Sequence, residues 1–145
     1  MAHDFTSIHD CTCNNLRKAA RAVTQYYDEV LRPSGIRATQ FSLLSAIKQF
    51  GTVSIGVLAE ESVMDRTTLT RNLKLLEDEG LITIAPGEDA RVREVSLTPV
   101  AVEKLAVANR YWRQAQAQMA ARMGNEGVRH LLRSLSGVVE AVRSD

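Results

Sequence analysis

Two short runs rich in β-branched residues, Leu81-Ile82-Thr83-Ile84 and Val92 to Leu97, flank the turn-forming stretch Pro86-Gly87-Glu88-Asp89-Ala90. Such a pair reads as one β-hairpin. A lone hairpin is marginal in water and has one apolar face to bury, so helices must supply the other side of its core. The rest of the chain provides them, because its apolar residues recur at helical spacing. The expected class is mainly α with a small β-wing.

Leu16, Ala19, Ala20, Val23, Tyr27, Val30 and Leu31 predict a first long helix, ended by Pro33-Ser34-Gly35. A second is expected from about Thr39 to Phe50, with Phe41, Leu43, Leu44 and Ile47 on a broad apolar face and Gly51 as its stop. Ser54 can cap a short third helix that turns Ile55, Leu58 and Ala59 inward. Ser62-Val63-Met64 leads to Asp65, a good N-cap for a fourth helix that runs to Glu79 and stops at Gly80. After the hairpin, Thr98 as cap and Pro99 at the first helical position mark a strong helix start. Val102, Leu105, Ala108, Trp112, Ala115 and Met119 keep an apolar stripe up to Gly124-Asn125. Val128, Leu131, Leu135, Val138 and Val142 then repeat at three-four spacing, close to a helix–helix seam.

The order short helix, turn, helix, strand, turn, strand between Thr39 and Leu97 is a winged helix-turn-helix. The expected organisation is one continuous domain: 1–35 an N-terminal helix, 36–98 the winged helix-turn-helix, and 99–145 the C-terminal helices. A helix of about 24 residues is roughly 36 Å long, more than so small a winged core can cover. The surplus in 1–35 and 99–145 is most simply buried against a second copy of the chain. These parts are therefore expected to be dimerisation helices.

A composition of 45% hydrophobic and 24% charged residues excludes a disordered tail protein. No apolar run approaches the roughly 18 residues a membrane span requires, so no membrane partner is expected. Met1 to Asp10 carries neither Lys nor Arg and leads into no apolar stretch, so it lacks the marks of a secretion signal and a cytoplasmic location is expected. No cofactor is expected: there is no Gly-rich phosphate loop and no CxxC. His3, His9 and His130 lie at or near the chain ends, so no Ser/His/Asp set offers itself and an enzyme is disfavoured.

On a helical wheel the Asp65–Glu79 segment sorts cleanly. Leu69, Asn72, Leu73 and Leu76 share one side, while Thr67, Thr70, Arg71 and Lys74 share the other, with Arg66 at the edge of the first turn. An exposed Thr/Arg/Lys face suits a major groove, where Arg pairs with guanine, Thr meets a thymine methyl or a phosphate, and Lys supplies charge. The bases occupy the N-terminal part and Glu77-Asp78-Glu79 the C-terminal end, against the preference of the helix macrodipole. A wing bearing Arg91 and Arg93 follows, with Asp89 placed to hold Arg91, and such a tip can enter a minor groove. Overall charge gives no such signal. The chain is +1, and 65–93 holds five bases against six acids.

These residues resemble the MarR family of bacterial regulators. The resemblance covers nearly the whole chain and rests on four stretches. They are Leu58-Ala59-Glu60, Asp65-Arg66-Thr67-Thr68-Leu69-Thr70-Arg71, Leu76-Glu77-Asp78-Glu79-Gly80-Leu81-Ile82, and Asp89-x-Arg91 followed six positions later by Leu97-Thr98. It implies a homodimer held by the first and last two helices, with two recognition helices on a pseudo-palindromic double-stranded DNA operator. Repression is the commoner mode, with release when a small molecule or an oxidant alters the spacing of the two lobes. The implied DNA-binding residues are Arg66, Thr67, Thr68, Thr70, Arg71, Lys74, Asp89, Arg91 and Arg93.

For an effector, the resemblance points to the meeting of the first, second and fifth helices. Arg21, Tyr26, Tyr27, Phe41, Tyr111 and Trp112 are the candidates there for a phenolic or aromatic ligand, against their reading as plain core. Cys11 and Cys13 are too close in sequence to staple a fold. A disulfide between them requires a non-helical N-terminus, since positions i and i+2 point to different sides of a helix. They read as structural thiols at the dimer seam, as an oxidant sensor, or, with His9 and His3, as a soft-metal site of unspecific spacing. The competing reading of the whole is a winged helix that docks proteins.

Overall fold

In the computed structural model, which describes residues 4–144, a helical frame surrounds one small sheet. Helix α1 (Thr12–Leu31) is followed by a short 3₁₀ turn, Arg32–Ser34, and by Gly35 in the left-handed region at φ 72°. Then come α2 (Ala38–Phe50), β1 (Thr52–Ser54), α3 (Ile55–Ser62), α4 (Arg66–Asp78), β2 (Ile82–Pro86), β3 (Arg93–Leu97), α5 (Pro99–Met123) and α6 (Asn125–Arg143). The mainly helical class with a β-wing is thus observed, and the structure adds three details to the sequence reading.

Helix α1 begins four residues before Leu16, because the Cys11 sulfur accepts from the Asn14 N–H and caps it. The first wing strand starts at Ile82 and runs through Pro86, so Pro86 belongs to the strand rather than to the turn. A proline is tolerated there because β2 is an edge strand, in the order β1-β3-β2. The wing closes further out, where Gly87 N–H donates to Val92 O at 2.8 Å and Val92 N–H donates to Asp89 O at 2.9 Å. Strand β1, not expected from the sequence, pairs antiparallel with the other edge of β3, Val53 opposite Val95. Three residues are too few to show a pattern of their own.

The core lies beneath this sheet. Leu31, Leu44, Ile47, Leu58, Leu69, Leu73, Leu76, Leu81, Ile82 and Val95 are fully buried. Ala101, Leu105 and Ala108 of α5 join the same cluster, so the first turns of α5 are embedded in the winged lobe. Helix α6 is different, because none of its residues is buried. Leu131, Leu132, Leu135, Val139 and Val142 stand exposed along it. Between α1, α5 and α6 runs a groove of about 420 Å³ walled by Leu16, Val23, Met119, Leu131 and Leu135 among others.

Candidate nucleic-acid interface

Helix α4 is fixed at both ends by backbone-level devices. At its start, Asp65 Oδ2 accepts from the Thr68 N–H at 3.1 Å and from the Thr68 hydroxyl at 2.9 Å. Those two bonds, the hydroxyl first, hold the Asp65 carboxyl below its ordinary 3.8, with Arg71 adding a smaller attraction. At its end, Gly80 takes the left-handed conformation at φ 73° that a side chain would resist. Gly80 N–H then reaches Glu77 O and Leu81 N–H reaches Leu76 O, each at 2.9 Å, a Schellman closure with Leu76 and Leu81 both buried.

Between these ends the helix divides as its wheel requires. Leu69, Leu73 and Leu76 are buried and Asn72 is half-buried, while Arg66, Thr67, Thr70, Arg71 and Lys74 are exposed. Two of the predicted contact residues have partners inside the helix. The Thr68 hydroxyl is taken by Asp65, and Lys74 Nζ lies 2.9 Å from Asp78 and 3.4 Å from Glu77. The bond and charge of Asp78, followed by Glu77, raise the Lys74 pKa above its ordinary 10.5. This accounts for part of the acidic end of α4, which the sequence leaves unexplained. The remaining acid, Glu79, accepts from Gln40 Nε2 at 3.2 and 3.4 Å, and Gln40 Oε1 accepts in turn from Arg37 N–H at 3.1 Å.

At the wing tip, Asp89 grips Arg91 through three bonds. The Arg91 Nε and Nη2 donate to Oδ1 and Oδ2 at 3.1 Å each, and the backbone N–H of Arg91 donates to Oδ1 at 3.0 Å. This fork holds Asp89 below its ordinary 3.8 and leaves the guanidinium 90% exposed. Arg93 begins β3, also exposed, opposite Pro86. The geometry thus offers an exposed Thr/Arg helix face and, beyond it, an arginine held by Asp89 at the wing tip. Such groups can donate hydrogen bonds to phosphates or base edges.

Comparison with known proteins agrees with this arrangement. Residues 34–92 match the family model described as MarR family. The M. tuberculosis transcriptional regulator MosR, solved in complex with DNA, is 39% identical in sequence. That match covers 92% of this chain and 98% of that one, with a TM-score of 0.81. This chain belongs to the MarR family. From Bacillus subtilis, the HTH-type transcriptional regulator YwoH is 29% identical over 91 residues, 63% of this chain and 66% of YwoH. The organic hydroperoxide resistance transcriptional regulator of the same organism is 30% identical over 96 residues, 66% of this chain and 65% of that protein. The matched stretch spans just under two thirds of the length of these two relatives. MarR proteins are transcription regulators, not enzymes.

In this MarR chain the effector candidates fall into two groups. Phe41 is buried and stacks on Trp112 at 5.7 Å between ring centroids, with Tyr27 and Tyr111 packed at the edge of the same core. Tyr26 and Tyr27 donate their hydroxyls to Gln118 and Gln116 of α5, and Arg122 lies over the Tyr26 ring at 4.8 Å. Burial, then the neighbouring Tyr26, pushes the Tyr27 phenol above its ordinary 10.0, so it remains a neutral donor. Phe41 also lines a groove of about 470 Å³ between α2 and α5, with Lys48 and Asn109 at its rim. Arg21 stands exposed on α1.

The cysteines are both free, Cys11 half-buried at the cap of α1 and Cys13 exposed within its first turn. Cys11 has extended backbone as the N-cap, and Cys13 is the second residue of the helix. Among the described residues no three His, Cys, Asp or Glu side chains converge on a metal position. His3, the fourth group of the metal reading, lies outside the described residues.

Proposed function

We propose that this chain is a sequence-specific DNA-binding transcription regulator. It represses from a pseudo-palindromic operator, held as a homodimer, and an effector releases it. The observation that carries this reading is the shared outward presentation of Thr67, Thr70 and Arg71 on α4 and of Arg91 on the wing, the latter fixed by Asp89. Base-edge readout needs donors at set positions, which the Asp65 cap of α4 and the Asp89 grip on Arg91 support. The MosR relative was solved with DNA bound, which supports the same partner here. The apolar stripe of α6 and its groove with α1 favour a second copy of the chain as the surface that covers them.

Selection of bound duplexes from a random DNA pool tests the reading. A palindromic consensus with a fixed half-site spacing is expected. Its loss is expected in an Arg71→Ala, Arg91→Ala double variant. If that double variant retains DNA as the wild type does at low salt, the protein-docking alternative takes its place.

An oxidant is favoured as effector by one further observation, the Cys11 sulfur acting as the cap of α1. A hydroperoxide transfers one oxygen to a thiol, giving a sulfenic acid and the corresponding alcohol. The second thiol then condenses with it to a disulfide, releasing water. A Cys11–Cys13 bond takes the Cys11 sulfur away from the Asn14 N–H, so the cap is lost and the first turn of α1 is disturbed. Asn15 Nδ2, which donates to His9 O and Cys11 O at 2.7 and 2.9 Å, loses its place with that turn. Replacement of both cysteines by serine should abolish release of the DNA complex by cumene hydroperoxide. An unchanged response points instead to a ligand in the α1–α2–α5 region.

A further inference from the structure

Helix α5 runs from the winged lobe, where its first turns are buried, to the groove shared with α1 and α6, and so connects the two. One residue stands at that junction. Thr98 Oγ1 accepts from Ala101 N–H at 3.2 Å, which caps α5, and donates to Gly80 O at 2.7 Å. The Thr98 backbone N–H donates to Leu81 O at 3.0 Å. Gly80 and Leu81 are the residues that close α4. A single half-buried side chain therefore joins the Gly80 carbonyl, just after the recognition helix, to the Ala101 N–H in the first turn of α5.

We propose that Thr98 is a positioning residue that locks the exit of α4 to the start of α5. In the dimer, the separation of the two recognition helices then follows the tilt of α5. The inference rests on the functional reading above for its biological meaning, though the coupling itself is a matter of these three bonds. Ala101, Leu105 and Ala108 bury the next turns of α5 in the same core. Without the Thr98 hydroxyl they still anchor α5, and the Thr98 N–H still holds Leu81 O. Gly80 O, however, loses its partner, and the exit of α4 is held to α5 less tightly. On the far side, Gln40 holds Glu79, so the end of α4 is tied to α2 and to α5 at once.

Four replacements separate the link from the cap. Thr98→Ser keeps both. Thr98→Asn also keeps both, its amide oxygen capping while its NH₂ donates to Gly80 O. Thr98→Asp keeps the cap, being a preferred N-cap residue, but has no proton to donate and faces a carbonyl. Thr98→Val loses both. Each is made in a Cys11→Ser, Cys13→Ser background with one spin label at Thr70→Cys, and the label-to-label distance in the dimer is measured by pulsed electron resonance. A narrow distribution is expected for the unchanged Thr98 parent and for Thr98→Ser and Thr98→Asn. A broadened one is expected for Thr98→Asp and Thr98→Val. The same pattern is expected in the DNA selectivity of the unlabelled variants, which keep Thr70. Discrimination between the selected operator and one re-spaced by a single base pair should fall by about three- to tenfold, the worth of one hydrogen bond.

A distribution for Thr98→Asp as narrow as that of Thr98→Asn overturns the proposal, as does a monomeric parent protein. If the dimeric, unlabelled parent with Thr70 intact selects no DNA, the functional reading fails, and the distance measurement still decides the coupling.

Discussion

Val63 is the described non-glycine residue with a positive φ, at 52°, and it forms the turn between α3 and α4. A β-branched side chain in the left-handed region carries roughly 1–2 kcal/mol of steric strain. Its side chain is half exposed, so little packing offsets that strain. Val63→Asn, which tolerates this conformation, should stabilise the fold by about 1 kcal/mol. Urea unfolding should show a higher midpoint with an unchanged slope. Asp65 makes a second prediction at this scale. Its folded-state pKa lies below the ordinary 3.8, so the cap stabilises the fold above that pH. The contribution is lost as pH falls through the depressed value. The melting-temperature gap between wild type and Asp65→Ala should be full at pH 6 and close progressively below the ordinary carboxylate value. A gap that persists in strong acid would contradict this account.

At the scale of elements, the acidic end of α4 runs against the helix dipole, yet each acid has a partner. Glu77 and Asp78 hold Lys74, and Glu79 holds Gln40 on α2. The second of these can be tested without touching the α2 cap. Gln40→Glu retains an oxygen for the Arg37 N–H but sets a carboxylate against Glu79. Binding to the selected operator should weaken by about threefold or more. Gln40→Glu with Glu79→Gln restores both the bond and the net charge, and operator affinity should return to within about twofold of wild type. Additive losses in the double variant would mean that the two side chains are not coupled. Under the proposed function Lys74, paired within its own helix, is expected to add less phosphate attraction than its charge suggests, with Arg66, Arg71 and the wing arginines expected to supply it.

For the whole molecule, the winged lobe carries a complete core while no residue of α6 is fully buried in the single chain. Leu135, 37% exposed, lies on the groove wall and in the middle of the α6 stripe. Leu135→Glu should therefore leave helicity nearly unchanged but give a monomer by sedimentation equilibrium. Loss of the second DNA contact should lower operator affinity by about a hundredfold or more, through the lost effective concentration. A folded Leu135→Glu protein that still sediments as a dimer would move the interface elsewhere. Arg143 at the far end of α6 also reaches Glu60 on α3 at 3.0 Å, so α6 touches the helix-turn-helix as well as the groove.

What was legible in the sequence was local. The helix periods, the caps at Ser54, Asp65 and Thr98, the stop at Gly80 and the Asp89–Arg91 turn each depend on residues within a few positions of one another. The Lys74–Asp78 pair belongs with them by its i, i+4 spacing, although the sequence reading counts Lys74 as a free cation. The tertiary structure alone decided contacts between distant segments. Strand β1 exists because β3 offers it an edge, and Thr52-Val53-Ser54 carries no pattern that announces it. Phe41 meets Trp112, Gln40 meets Glu79, and Thr98 meets Gly80 only once the buried leucines have set the distances between α2, α4 and α5. The hairpin that first limited the fold is one such case. Its strands were visible in their β-branched residues, but the place of its tip, and so of Arg91, was fixed by closure of the wing from Gly87 to Val92.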